Sequence, residues 1–126
     1  MKLSDEQWEF LKDIARLILW AEENGYKMTE GEGYRTADQQ MLYFYGFAIR
    51  NDNGRLSLVE AEKRSKTMNS SHMERLAHDF NVFVRGELTY DADVIRPLGE
   101  YWKSLNSKNV WGGDWGWDAG HFERRR

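Results

Sequence analysis

The segment Ser70-Ser71-His72-Met73-Glu74-Arg75-Leu76-Ala77-His78-Asp79 holds two of the chain's three histidines and closes on an aspartate inside an apolar run. Leu76 to Val84 reads as a strand, rich in side chains that favour extended backbone. Alternation sends Ala77, Asp79, Asn81 and Phe83 to one face and His78, Phe80, Val82 and Val84 to the other. A carboxylate in mid-sheet is costly to bury unless a cation or strong donors hold it. His72, just before the strand, can swing back toward Asp79 and share such a cation, and His121 is the natural third ligand. Two imidazoles and one carboxylate suit Zn²⁺ at a catalytic site, where a fourth position is kept for water. Asp118 lies close enough in sequence to His121 to take a proton from that water and pass it to a leaving amine. His78, on the face opposite Asp79, is expected to make no metal contact.

These side chains need elements to carry them. Ser4 and Gln7 read as a capping box. Trp8, Leu11, Ile14, Ala15, Ile18 and Leu19 then recur at helical spacing, the inner face of a helix of about 20 residues that ends at Asn24-Gly25. Residues 26–34 are extended. Arg35 follows at the junction with a second helix, opened by Thr36-x-x-Gln39 and carrying Gln40, Leu42, Tyr43 and Phe47. There a guanidinium and backbone amides can converge on an anion; the other reading of Arg35 is a surface pair with Asp38 or Glu32. Asn51 to Gly54 reads as a loop and Ser57 to Lys66 as a short charged helix.

Arg85-Gly86 turns the strand into a hairpin with Glu87–Tyr90 as its return. A third helix, capped by Asp91 or Asp93, runs to Leu105 with Val94, Leu98, Tyr101, Trp102 and Leu105 inward and Pro97 near its first turn. Asn106 to Asn109 is loop, the Gly- and Trp-rich run Val110–Trp117 excludes a regular helix, and 118–123 closes as a strand. Trp102 and Trp111 are assigned to the core, Trp115 and Trp117 to a substrate groove. Asp114 is either a partner of a ligand histidine or a turn residue, and Glu123 only a strand end. Helices leading into short strands without a βαβ rhythm give an α+β fold, a small antiparallel sheet covered by helices.

Composition narrows the classes. At 126 residues, 40% hydrophobic and 31% charged, the chain reads as one domain, 1–126. No apolar run approaches the ~20 residues of a membrane helix, so no membrane partner is expected, and acids and Trp8 interrupt any signal peptide. Without Cys there is no disulfide and no thiolate ligand. A net charge of -3 argues against a nucleic-acid partner. Arg124-Arg125-Arg126 reads as a solvated tail, and a monomer is expected.

Ser70-x-His72-x-x-x-x-Ala77-x-Asp79, with Trp111-Gly112-Gly113-Asp114-Trp115 and Asp118-x-x-His121-Phe122-Glu123, resembles the zinc D-Ala-D-Ala carboxypeptidase and L-alanyl-D-glutamate endopeptidase family, and within it the compact phage endolysins. Gly33-Tyr34-Arg35-Thr36, with Gln40 and Leu42-Tyr43, is similar to the family's N-terminal motif. The resemblance implies a hedgehog/DD-peptidase-like fold, with His72, Asp79 and His121 as zinc ligands and Asp118 as general base and acid. It further implies Arg35 as the catalytic cation facing a substrate carbonyl or carboxylate, and Ser70 as a residue that positions the peptide, beside the groove candidate Trp115. Many relatives carry Gly where this chain has Arg75, which reads as subfamily variation. Asp118 in place of the Glu of some relatives leans toward the endolysin branch.

The implied function is hydrolysis of a murein stem peptide bond, such as L-Ala-D-Glu, by metal-activated water, with bacterial peptidoglycan as partner. The alternatives are a carboxypeptidase trimming terminal D-Ala, and a zinc-stabilised module that binds wall peptide without cutting it. An endolysin without a signal peptide would accumulate in host cytoplasm and reach the periplasmic wall after membrane permeabilisation.

Overall fold

Phe10, Ile14, Leu17 and Ala21 recur at helical spacing along α1 (Leu3–Glu23), and this is the apolar stripe the helix buries. The computed structural model, which describes residues 1–126, thus gives α1 a different inner face from the one expected. Of the expected set only Ile14 is buried; Trp8, Leu11, Ile18 and Leu19 are exposed. The true stripe is disguised because Glu6 and Asp13 lie on it, both buried. The Ser4–Gln7 box does not form either. Asp5 Oδ2 accepts from Lys2 N–H at 3.0 Å, and Gln7 Nε2 donates to the Glu74 carbonyl at 2.8 Å.

The structure is α+β. β1 (Tyr26–Glu30), α2 (Ala37–Tyr45), β2 (Phe47–Asp52), β3 (Arg55–Glu60), β4 (Ala77–Val84), β5 (Glu87–Thr89), α3 (Ala92–Leu105), β6 (Asn109–Trp111) and β7 (His121–Arg124) follow α1. The main sheet runs β1-β4-β7-β6, all antiparallel, with β5 also paired to β4. Arg85 and Gly86 both take positive φ, 53° and 79°, so the expected β4–β5 hairpin is present.

α1 and α3 cover one face of this sheet. Phe10, Ile14 and Leu17 meet Ile95, Leu98 and Trp102 of α3 and Phe80, Val82 and Phe122 of the sheet in a single core cluster. Trp102 and Trp111 are fully buried, as expected, and each indole N–H reaches a carbonyl, Trp102 that of Val110 at 3.1 Å and Trp111 that of Ala119 at 2.8 Å. Gly99 is required where α3 crosses Trp111, because an added Cβ would collide with the indole. Val94, expected inward, is exposed, and Ile95 takes its place. Pro97 falls in the second turn of α3 rather than the first, on its exposed side.

Two segments differ outright from expectation. Ser57–Lys66 is no helix: β2 and β3 form a separate two-stranded hairpin in which Ile49 pairs with Leu58 and Asp52 with Arg55. Its turn is Asn53-Gly54, both at positive φ, the two-residue connection whose twist suits adjacent strands. Ile49, Leu56 and Leu58 stay exposed on it. Arg124 is no tail either. It is 2% exposed and bonds Asp13 Oδ2 at 2.7 Å and Asn109 Oδ1 at 3.2 Å, while Glu6 Oε2 lies 3.6 Å away. Asn109, expected in a loop, is buried in β6 and donates to Asp13 and to the Trp102 carbonyl. No helix is long and apolar enough to cross a membrane.

Candidate metal centre and cleft

The sheet face turned away from α1 and α3 carries the polar chemistry. Pairing of β4 with β7 sets Asp79 directly opposite His121, so alternation sends both side chains away from the Phe80–Phe122 core. Asp79 is locked in place by its own backbone, its N–H bonding the Glu32 carbonyl at 2.8 Å and its carbonyl accepting from Gly31 at 2.7 Å. His72 arrives on a 3₁₀ turn, Ser71–Glu74, whose first amide is capped by Ser70: the His72 N–H donates to Ser70 Oγ at 3.2 Å. That turn ends at Arg75 with φ 59°. The left-handed geometry is one that glycine adopts most readily, and Arg75, which adopts it here, lies 3.9 Å over the Tyr34 ring.

His72 Nε2 is 3.2 Å from Asp79 Oδ2, and His121 Nδ1 is 2.9 Å from Asp79 Oδ1. One ligand atom from each of the three residues lies within 4.8 Å of the others. The far ring nitrogens are also engaged. His72 Nδ1 meets the Gly33 carbonyl at 2.7 Å, and His121 Nε2 meets Glu123 Oε1 at 2.7 Å. If each donates its N–H there, His72 Nε2 and His121 Nδ1 both present lone pairs to one point, which is how neutral imidazoles are prepared for a metal. The donor set therefore fits a divalent ion with N/O preference such as zinc.

Asp118 Oδ2 is 3.8 Å from His121 Nδ1. The loop holding it is drawn in by Gly112, where a Cβ would strike the Asp118 carbonyl and come within 2.9 Å of the His121 Cβ. Burial raises the pKa of Asp118, with the Asp79 charge adding to it and His121, His72 and Arg35 pulling the other way. For Asp79 burial also acts upward, but hydrogen bonds from His121 and His72 hold its carboxyl well below the usual range. His121 shows the reverse balance: burial disfavours its cation, yet Asp79, Glu123 and Asp118 raise it to about 9.

These residues line one side of a cleft of about 820 Å³ together with Arg35, Ser70, Trp115 and Trp117. Arg35 combines both of its readings. Its Nε pairs with Glu32, its Nη1 donates to Gln40 Oε1 at 2.8 Å, and it nevertheless faces the cleft; Asp38 is not a partner. Trp115 sits over His121 with ring centroids 5.2 Å apart, and Trp117 leans on Trp115 at 5.8 Å. His78 points to the other face, stacked on Phe80 and 2.8 Å from Glu30 Oε1.

The sequence reading misjudged Glu123 and left Asp114 open between two roles, of which the turn residue is the one found. Glu123 is no mere strand end: it is buried, and besides His121 it accepts from Ser71 Oγ at 3.1 Å and Arg125 Nε at 2.7 Å. Its spacing from His121, two along a strand and hence on the same face, was the available signal. Asp114 reaches neither histidine; it pairs with Lys103 Nζ at 2.8 Å and with Arg96 at 3.9 Å, tying its loop to α3.

Residues 63–124, the part of the chain that carries His72, Asp79, Asp118 and His121, match the sequence profile of D-alanyl-D-alanine carboxypeptidases. No match is found among curated protein sequences. Among solved structures the fold is similar to that of the L-Ala D-Glu endopeptidase ChiX of Serratia marcescens, with 20% identity, a TM-score of 0.61, and coverage of 90% of this chain and 79% of that one. It is also similar to the vancomycin-resistance D,D-pentapeptidase VanY in complex with Zn(II), with 18% identity, a TM-score of 0.56, and coverage of 91% of this chain and 70% of that one. The profile match over the segment that builds the site, on a fold of this type, supports the VanY-like M15 family of D-alanyl-D-alanine carboxypeptidase-type peptidases as the one this chain resembles.

Proposed function

We propose that the protein is a zinc-dependent peptidoglycan peptidase that hydrolyses the L-Ala-D-Glu bond of the murein stem. The observation that supports this most is the convergence of His72, Asp79 and His121 on one point with Asp118 beside them, on the floor of an open cleft. His72 Nε2, Asp79 and His121 Nδ1 would hold the ion. The chemistry zinc supplies in such a site is Lewis acidity toward a carbonyl and a lowered pKa of water.

The protein's own groups do the rest. Asp118 Oδ2 accepts a proton from water and returns it to the departing amine nitrogen. Its burial, which raises its proton affinity, suits a group that must hold and then release that proton. Arg35 presents guanidinium N–H donors to the cleft, fixed by Glu32 and Gln40, and stabilises negative charge growing on the substrate carbonyl oxygen. Trp115 offers an aromatic face for the peptide beside His121, and Ser70 supports the turn that carries His72.

A second reading, removal of terminal D-Ala, is favoured by the description of the matching profile and by Arg35, which could clasp a free carboxylate. Mass spectrometry of muropeptides after digestion separates the two. Loss of an intact stem from the L-Ala supports the endopeptidase, loss of single D-Ala residues the carboxypeptidase, and unchanged muropeptides with zinc-loaded protein would refute both. The finer assignment to phage endolysins rests on the motif resemblance and on Asp118 in place of Glu. An endolysin made in the host cytoplasm lyses cells only after the membrane is permeabilised, which a turbidity assay with and without permeabilisation tests.

A further inference from the structure

The lining of the cleft is of two unlike kinds. Trp115 and Trp117 supply an aromatic part of its lining, and the loop between β3 and the His72 turn supplies a polar part. That loop carries Lys63, Arg64 and Lys66, all exposed and all lining the cleft. None of the three has a carboxylate within ion-pair distance, although Arg35 and Arg125 at the same cleft are both paired. Glu62, the loop's own acid, bonds none of them. In a chain with 21 acids against 18 bases, three unpaired cations within four residues are a local reversal of charge.

The polar part is also built rather than loose. Gln40 is fully buried, and its Nε2 donates to Ser65 Oγ at 2.8 Å and to the Thr67 carbonyl at 2.6 Å while its Oε1 holds Arg35. The Arg64 amide bonds the Tyr43 carbonyl at 3.0 Å. The guanidinium groups of Arg35 and Arg64 lie 4.9 and 5.0 Å from the centre of the same Tyr43 ring. The Gln40 amide thus ties Arg35 to the backbone of this loop, and the Tyr43 ring is shared by Arg35 and Arg64. Stacking leaves the in-plane N–H donors of a guanidinium free, and these match a carboxylate.

We propose that Arg64 and Lys66, next to Arg35, form an anion-binding subsite that takes a free carboxylate of the substrate peptide flanking the scissile bond. The protein then selects acidic peptides over their carboxamide counterparts. This rests on the cell-wall peptidase reading above and names the substrate class within it.

The test uses zinc-loaded full-length protein and two synthetic stem peptides that differ only in the Glu α-carboxyl group, free in one and a carboxamide in the other. Wild type is expected to favour the free acid about tenfold in kcat/KM, through KM, with the preference shrinking as salt rises. The double variant Arg64→Gln, Lys66→Gln raises KM for the free acid and brings the two peptides together. Lys12→Gln, which removes one charge on α1 outside the cleft, keeps the preference. Equal cleavage of both peptides by wild type, or an unaltered preference in the double variant, overturns the proposal. If neither peptide is cut, the peptidase reading fails, and calorimetric binding of the two peptides decides the subsite. Tighter binding of the free acid that is lost in the double variant upholds it, and equal binding refutes it.

Discussion

His121 Nε2 lies 2.7 Å from Glu123 Oε1, two residues along the same strand and on the same face. The carboxylate sets which ring nitrogen carries the proton, and so turns the lone pair of Nδ1 toward Asp79 and His72. Glu123 is itself held by Ser71 and Arg125. Glu123→Ala is therefore expected to weaken zinc binding about 10- to 100-fold, measured by competition with a chromophoric chelator. Glu123→Gln keeps an acceptor oxygen and should lose less. Equal zinc affinity in Glu123→Ala and wild type would show that the contact does not orient the ring.

Asp118 is close to the three ligand candidates but is not one of their converging set. Asp118→Ala should keep stoichiometric zinc, assayed by metal analysis after dialysis, and lose about 10²- to 10⁴-fold in kcat on muropeptides. Asp118→Glu reaches further by one methylene and is expected to recover part of that activity. Loss of zinc together with activity in Asp118→Ala would make the residue a ligand instead.

Acidity follows from the same cluster. In the metal-free protein His121 titrates near 9 against an ordinary 6.5, so zinc must displace a proton from it at neutral pH. Zinc affinity should rise with pH up to about 9 and then level, with proton release seen as a buffer-dependent binding enthalpy. The stability of chelated protein runs the opposite way. A raised folded-state pKa contributes stability that is complete below 6.5 and lost as pH climbs through 9. Asp79, whose folded pKa is depressed, contributes above its ordinary 3.8 and loses its share as pH falls through the lower folded value. Thermal melts of chelated protein at pH 6 and 9.5 should show the lower midpoint at 9.5.

Much of the site was legible because its signal is local or strictly periodic. Alternation along β4 separated Asp79 from His78, and spacing near His121 exposed Asp118. Thr36 caps α2 as its motif indicates, with the Gln39 N–H 3.1 Å from its Oγ1. What failed depended on partners distant in the chain. Glu6 and Asp13 made the buried stripe of α1 look polar, since nothing near them announces that Arg124 lies opposite. Leu56-Ser57-Leu58 alternates as a strand should, but Ser57 before charged residues imitates a helix start. Asn53-Gly54 was the stronger signal. The cationic lining was unreadable for the same reason: Lys63, Arg64 and Lys66 look like an ordinary solvated run until Gln40 is seen to hold Ser65 and Thr67 of their loop, and Arg64 to share the Tyr43 ring with Arg35.

Arg124 is the member of the α1–sheet contact whose loss the molecule should feel most. It joins Asp13 and Asn109 at hydrogen-bond distance and sits near Glu6, with all four buried. Lys108 reaches Glu6 Oε1 from the surface at 3.2 Å, yet Glu6 Oε2 has no hydrogen-bond partner, so Arg124 and Lys108 are its only charge compensation. Arg124→Ala leaves two buried carboxylates without that guanidinium and should cost about 3–5 kcal/mol in denaturant unfolding. The triple variant Glu6→Leu, Asp13→Leu, Arg124→Met removes the charges as a set and should be closer to wild type than the single variant, because desolvation and attraction disappear together. A triple variant less stable than Arg124→Ala would mean that the ion set holds α1 on the sheet by net attraction. Then its role would be cohesive rather than one of matching buried charge.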